Sequence, residues 1–133
     1  MDMSLLAPKL FVAELQAAVQ VEMQGSEAFA LGELTFQRVW LQGIVVTPLE
    51  HGTLVLDDGS AVIELFLQKA HQAQVWEPGM YVLVNGRISK DTVPFIEVHK
   101  IVDLTSQPVR EAAWHLEVAE AHEMFYDHLM AGV

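Results

Sequence analysis

The sequence predicts a mainly-β domain: a five-stranded barrel with a short N-terminal helix before it and a long C-terminal helix after it. Three observations carry this. Apolar runs between Phe36 and Leu104 are broken by turn residues at hairpin spacing. The first run is long and holds Gly43 in its interior, the mark of a bulge or sharp bend. Finally, Val109 to Ala131 contains neither Gly nor Pro and repeats apolar residues at helical spacing.

Residues 1–34 read as a leader ending at Pro8, a helix over 9–20 and a loop over 24–34. In the helix, Phe11, Leu15 and Ala18 or Val19 recur at helical spacing, although Leu10-Phe11-Val12 equally suits the start of a strand. The barrel occupies 35–106. Its first strand is Phe36 to Pro48, and Glu50-His51-Gly52 is a turn. Thr53 to Leu56 and Ala61 to Leu67 form a hairpin about Asp57-Asp58-Gly59, whose Asp-Gly step favours a tight turn. Lys69 to Trp76 is a connector with room for one helical turn. Met80 to Ile88 and Val93 to Leu104 complete the set, joined by Ser89-Lys90-Asp91. In 107–133, Ser106 is the expected cap and Pro108 suits the first turn of a partner-docking helix. Five strands in this order, with a connector between the third and fourth, match an OB barrel or, more blandly, a small meander with helices. The length makes one domain of all three parts.

Charge narrows the function. Seven basic residues against 18 acidic ones give a net charge of −11. Residues 1–34 hold Lys9 against five acids, 107–133 hold Arg110 against five, and 35–106 hold five basic residues against eight acids. Binding through phosphates needs Lys and Arg on one face, and no segment is basic, so autonomous nucleic-acid or anionic-membrane binding is not expected. A cluster of Arg87, Lys90 and Lys100 is conceivable, with Asp91, Glu97 and Asp103 interspersed. The absence of cysteine excludes disulfides and thiolate metal sites and fits a reducing, intracellular setting. No apolar run reaches the ~20 residues of a membrane span. A mean hydropathy of +0.28 leaves apolar surface for a partner.

Catalytic constellations find no support. Six histidines invite a metal reading, but Ala112 and Ala119 stand where a Glu-x-x-His motif would place its glutamates before His115 and His122. Asp57 and Asp58 are explained by turn chemistry, and no phosphate-cradling glycine loop occurs. No enzyme activity, metal or cofactor is expected. On the C-terminal helix, Trp114, Val118, Ala121, Phe125 and Leu129 form one stripe, while Ala113 and Leu116 lie off it.

Three stretches are specific: Val39-Trp40-Leu41-Gln42-Gly43-Ile44-Val45-Val46, Pro78-Gly79-Met80-Tyr81-Val82-Leu83-Val84-Asn85-Gly86, and Lys100 to Val118, with its Asp-Leu-x-x-x-Pro-x-x-x-x-x-Trp-x-Leu-Glu-Val block. Together they resemble the RecQ-mediated genome instability protein 2 family, the small OB-fold subunits of RMI complexes. The resemblance implies a non-enzymatic nuclear protein that forms a heterodimer with the C-terminal OB domain of the larger RMI subunit. Through it the chain would join a RecQ-type helicase and topoisomerase III in double Holliday junction dissolution, DNA repair and suppression of crossover recombination. The candidate partner-binding residues are Trp40, Lys100, Leu104, Trp114, Leu116 and Val118. Trp40 suits either a barrel core or an interface, Trp114 either its own barrel or the partner, and Lys100 either edge protection or a charged partner contact. Two features depart from the family: the Pro/Gly-rich stretch expected ahead of Lys9 is missing, and Glu123 to Val133 runs past the expected end. The competing function is a single-stranded nucleic-acid binder, for which the second and third strands offer Phe66 as their one aromatic.

Overall fold

A computed structural model describes residues 7–127, except for the side chains of Phe125 and Tyr126. Five antiparallel or parallel pairings close a barrel. Its strands are β4 (Arg38–Val45), β5 (Thr53–Asp57), β6 (Val62–Phe66), β7 (Tyr81–Lys90) and β8 (Pro94–Asp103), in the order β4-β5-β6-β8-β7. This is the OB fold. β4 pairs with β7 from Arg38 to Ile44 and with β5 only at Ile44 and Val45. The alternation in β4 sends Val39, Leu41 and Val45 into the core, where they meet Leu54, Leu65, Val84 and Ile96. Each such side chain contributes about 1.5–3 kcal/mol of burial.

Two glycines let strands approach where a side chain would not fit. A Cβ on Gly43 would lie 2.6 Å from the Asp57 carbonyl oxygen, and one on Gly86 would lie 2.5 Å from that of Glu97. Of the bulge or bend expected at Gly43, the bulge lies elsewhere, between Asn85 and Gly86, where β8 carries the extra residue His99; Gly43 instead adjoins the point where β4 passes from β7 to β5.

The N-terminal segment departs from its sequence reading. The helix expected over 9–20 is the short α1 (Val12–Ala17). Pro8 and Leu10 are held extended by Trp40, whose N–H donates to the Pro8 carbonyl at 2.9 Å. At the other end Ala18 is already extended. The loop expected over 24–34 is instead part of a three-stranded sheet, β1 (Val19–Met23), β2 (Ser26–Leu31) and β3 (Leu34–Phe36). Two-residue turns make it possible. Gln24 and Gly25 both have positive φ, as a twisted hairpin requires, and Gly32 does likewise in the next turn. The sheet buries Phe29, Leu31, Leu34 and Phe36 in the same core as Leu10, Val12 and Leu15 of the α1 region.

The Asp57-Asp58-Gly59 turn does more than reverse the chain. Asp58 is buried, and one carboxylate oxygen accepts the Ser60 N–H at 2.9 Å and the Ser60 hydroxyl at 2.6 Å. Its other oxygen accepts the Val12 N–H at 2.7 Å, capping α1 from 46 residues away. The connector forms the single turn α2 (Lys69–Gln72), and the Trp76 indole donates to the His71 carbonyl at 2.7 Å.

α3 (Pro108–Ala121) begins with Pro108 in its first turn, as expected, but its cap residue is Gln107 rather than Ser106. Ser106 is displaced because Asp103 and Thr105 organise the junction. The Thr105 N–H donates to Asp103 at 2.9 Å, and the Tyr81 N–H donates to the Thr105 hydroxyl at 3.0 Å. The Thr105 hydroxyl also donates to Asp103, and this bond, with the Thr105 N–H bond second, holds the Asp103 carboxyl below its ordinary pKa. The helix widens into a π turn over His122–Tyr126. His122 Nε2 lies 2.8 Å from Glu14 of α1 and its Nδ1 lies 3.4 Å from Asp127. The expected continuation to Ala131, and Leu129 of its stripe, lie outside the described residues.

Candidate partner interface

α3 crosses the outer wall of the barrel over β4 and β7. The outward residues of that wall come from the register: Arg38, Trp40, Gln42 and Ile44 on β4 stand opposite Arg87, Asn85, Leu83 and Tyr81 on β7. Helical spacing places Trp114 and Val118 on the face of α3 that meets this wall, and both are buried, Trp114 at 3% exposure. Beneath them the Tyr81 hydroxyl donates to Gln42 Oε1 at 2.7 Å, a buried polar pair on an otherwise external face. Burial, aided by Glu111 and Glu117, pushes the Tyr81 hydroxyl far above its ordinary pKa, so it remains a donor at any working pH.

The contact under α3 is incomplete. A groove of about 260 Å³ opens on one side of Trp114, lined by Ile44, Asp57, Tyr81, Glu111 and His115 among others. A second, of about 200 Å³, opens on the other, lined by Lys9, Trp40, Leu83, Arg110 and Glu117. Among the described residues the Trp114 indole N–H and Glu117 Oε2 are buried without a hydrogen-bond partner. The Lys9 ammonium reaches Glu117 Oε1 at 3.5 Å, and the Phe11 and His115 rings are 5.2 Å apart. Trp114, Val118, Lys9 and Phe11 thus hold the helix in place.

The opposite face of α3 is apolar from Val109 to Leu116 and then carries Glu120 and Glu123, with Met124 beside them on the π turn. Val109, Leu116 and Met124 are 78%, 67% and 68% exposed, spaced i, i+7 and i+15, with Ala112 and Ala113 between them. A helix docked only on its own barrel has no use for this second stripe.

Beside the helix, Trp40 is half-buried and Lys100 Nζ sits 5.8 Å from its ring centroid, within cation–π range. The row Trp40–Asn85–Lys100 runs straight across three strands, and the next row sets Arg38 against Arg87. With Lys9 and Arg110 at the adjoining groove, five of the seven basic residues gather about Trp40. Of the cluster conceivable from the sequence, Arg87 and Lys100 belong to this patch, whereas Lys90 lies at another groove. Alternation along β4 was enough to put Arg38 with Trp40, but Arg87 and Lys100 join them only through strand pairing.

The expected site residues therefore divide. Trp40, Lys100 and Leu116 lie at the surface. Leu104, Trp114 and Val118, expected at a partner surface, are buried within the chain. The reason is physical: the stripe they belong to has the outer barrel wall to cover, and Leu104 is tied to β7 by its N–H bond to the Tyr81 carbonyl at 2.8 Å.

Comparison with known proteins follows this geometry. Residues 6–122 match the family model described as RecQ-mediated genome instability protein 2. The Bos taurus protein of that description is 30% identical over 95 residues, covering 70% of this chain and 60% of the relative. The Mus musculus protein is 33% identical over 87 residues, covering 63% of this chain and 58% of the relative. The matches thus span about three-fifths of those relatives' length. Among solved structures, a chain of the S. pombe Stn1–Ten1 complex superposes with a TM-score of 0.75 at 14% identity, covering 92% of this chain and 96% of that one. A chain of yeast RPA bound to ssDNA gives 0.72 at 22% identity, covering 97% and 98%. At these identities the structural likeness establishes the fold.

Proposed function

Because the chain belongs to the RecQ-mediated genome instability protein 2 family, we propose that it is a non-catalytic OB subunit that pairs with the larger subunit of an RMI complex. In that role it supports a RecQ-type helicase and topoisomerase III in dissolving double Holliday junctions, in the nucleus, without gripping DNA itself. The observation that carries the reading is the second apolar stripe of α3, exposed at Val109, Leu116 and Met124. The stripe has the i, i+7 pattern that a partner helix covers. Trp40 and the cations around it flank it, so an acidic surface on the partner would set the orientation of docking. The fold neighbours include a replication protein A heterotrimer and Stn1–Ten1 complexes, assemblies in which such barrels sit beside other chains. Co-purification of the full chain with the C-terminal OB domain of a larger RMI subunit tests this. The wild type is expected to form a stoichiometric pair and Leu116→Asp to abolish it while remaining folded. A Leu116→Asp chain that still pairs would remove α3's outer stripe from the interface.

A further inference from the structure

A second groove lies on the β6–β8 wall, away from α3. β6 turns Val62, Glu64 and Phe66 outward, and its parallel pairing with β8 sets Glu64 beside Phe95 and Phe66 beside Glu97. The Phe66 and Phe95 rings meet edge-on with centroids 4.6 Å apart. The turn joining β7 to β8 rises next to them. Between turn and rings lies a cavity of about 480 Å³, lined by Glu64, Phe66, Lys90, Asp91, Val93 and Phe95. It is larger than either groove beside α3 and falls within the ~300–1,000 Å³ of ordinary binding pockets.

Neither the barrel nor α3 needs these apolar side chains. The core is complete on the inner face, where Ile63, Leu65, Ile96 and Val98 alternate with the outward residues. Val93 nevertheless stands 60% exposed at a hairpin tip, where polar turn residues are the rule, and Val62 and Phe66 extend the apolar strip along β6. The rim is acidic. Glu64 and Asp91 line the cavity against one cation, Lys90.

We propose that this groove is the docking site for a short extended segment of another protein. A large apolar side chain of that segment packs on the Phe66–Phe95 floor, and an adjacent Lys or Arg meets Glu64 and Asp91. A nucleic-acid strand fits the aromatic floor but not the rim. Stacked bases bring phosphates that need Lys or Arg around them, and here two carboxylates face a single lysine. The site lies apart from Trp40 and the outer stripe of α3, so pairing with a larger subunit and capture of a peptide are compatible on one molecule.

Panning the full chain against a random octapeptide display library tests the assignment. The enriched peptides are expected to join one or two large apolar residues to Lys or Arg. A synthetic copy of the enriched sequence should then shift the amide resonances of Phe66, Val93 and Phe95. Val93→Ser should weaken its binding about tenfold. Glu64→Lys, a charge reversal at an exposed site that leaves folding intact, should weaken it about fivefold. Leu116→Asp should leave it unchanged. Enrichment of acidic peptides, no enrichment at all, resonance shifts at Trp40 instead, or displacement of the peptide by low-micromolar dodecathymidylate would each overturn the proposal.

Discussion

Both faces of α3 carry apolar side chains, and these meet opposite fates. Trp114 and Val118 face the barrel and are sealed, whereas Val109, Leu116 and Met124 face away and stay open. Both stripes obey the same helical spacing, so periodicity alone cannot rank them. What separates them is the wall beneath: a buried hydrogen bond joins Gln42 and Tyr81, the polar side chains that the inner stripe covers. An apolar stripe is thus a docking surface only once the chain's own claim on it has been accounted for.

The comparison can be broken most forcefully at Trp114. Trp114→Ala deletes the side chain between two existing grooves and is expected to cost ~3–5 kcal/mol of stability, which is about 10 °C or more in melting temperature. The isolated chain, followed by circular dichroism, suffices for the measurement. A melting temperature near that of the wild type would mean that the inner stripe does not hold α3. On the outer face, Leu116→Asp should leave stability within ~0.5 kcal/mol and cost the pair at least ~2 kcal/mol, about 30-fold in affinity. Calorimetry of the pair and melting of the free chain, run together, separate the two faces. Lys100→Ala comes next, at about 1 kcal/mol of affinity with little change in melting, because a rim charge over an exposed ring is worth less than a desolvated anchor. An equal loss at high and low salt would show that its charge is not what matters.

The smallest effect concerns the junction that aims the helix. The folded-state pKa of Asp103 is depressed by Thr105. The associated stability is therefore fully present above the ordinary carboxylate value of ~3.9 and lost as pH falls through the lower folded value. Thr105→Val should raise the Asp103 pKa toward its ordinary value, as read by carboxyl NMR titration. No movement on substitution would show that the hydroxyl bond is not the cause.

Legibility in the sequence followed the strength of local signals. The barrel strands were readable because alternation and the Asp-Gly step mark them, although Phe36 belongs to β3 and Ser89 and Lys90, read as turn, extend β7. The N-terminal sheet was not. Its turns, Gln24-Gly25 and Gly32-Glu33, lack the usual Asn-Gly or Asp-Gly pairs, and Ser26–Leu31 contains two alanines, poor strand formers in isolation. Helix α1 was overextended because Phe11 and Val19 fit the helical period, while the constraints that bound it come from Trp40 on one side and the pairing of Val19 with Ala30 on the other. The candidate site was half readable. Trp40 and Lys100 fall at the surface as outward residues of β4 and β8. Leu104, Trp114 and Val118 needed knowledge of what lies under them.

The carboxylate of Asp58 has a consequence in time. It caps α1 from the tip of the β5–β6 hairpin, and Trp40 pins the strand leading into α1, so the segment synthesised first rests on contacts synthesised later. Such long-range closure waits until the distant partner exists. As the chain leaves the ribosome, the cap of α1 stays unmade until the hairpin tip has followed it out, and Leu10, Val12 and Leu15 lack their full core until then. During that interval these apolar side chains are open to a chaperone, which the finished surface would not offer. Pulse-labelled exchange during refolding should show the Val12 amide protected after those of β5 and β6.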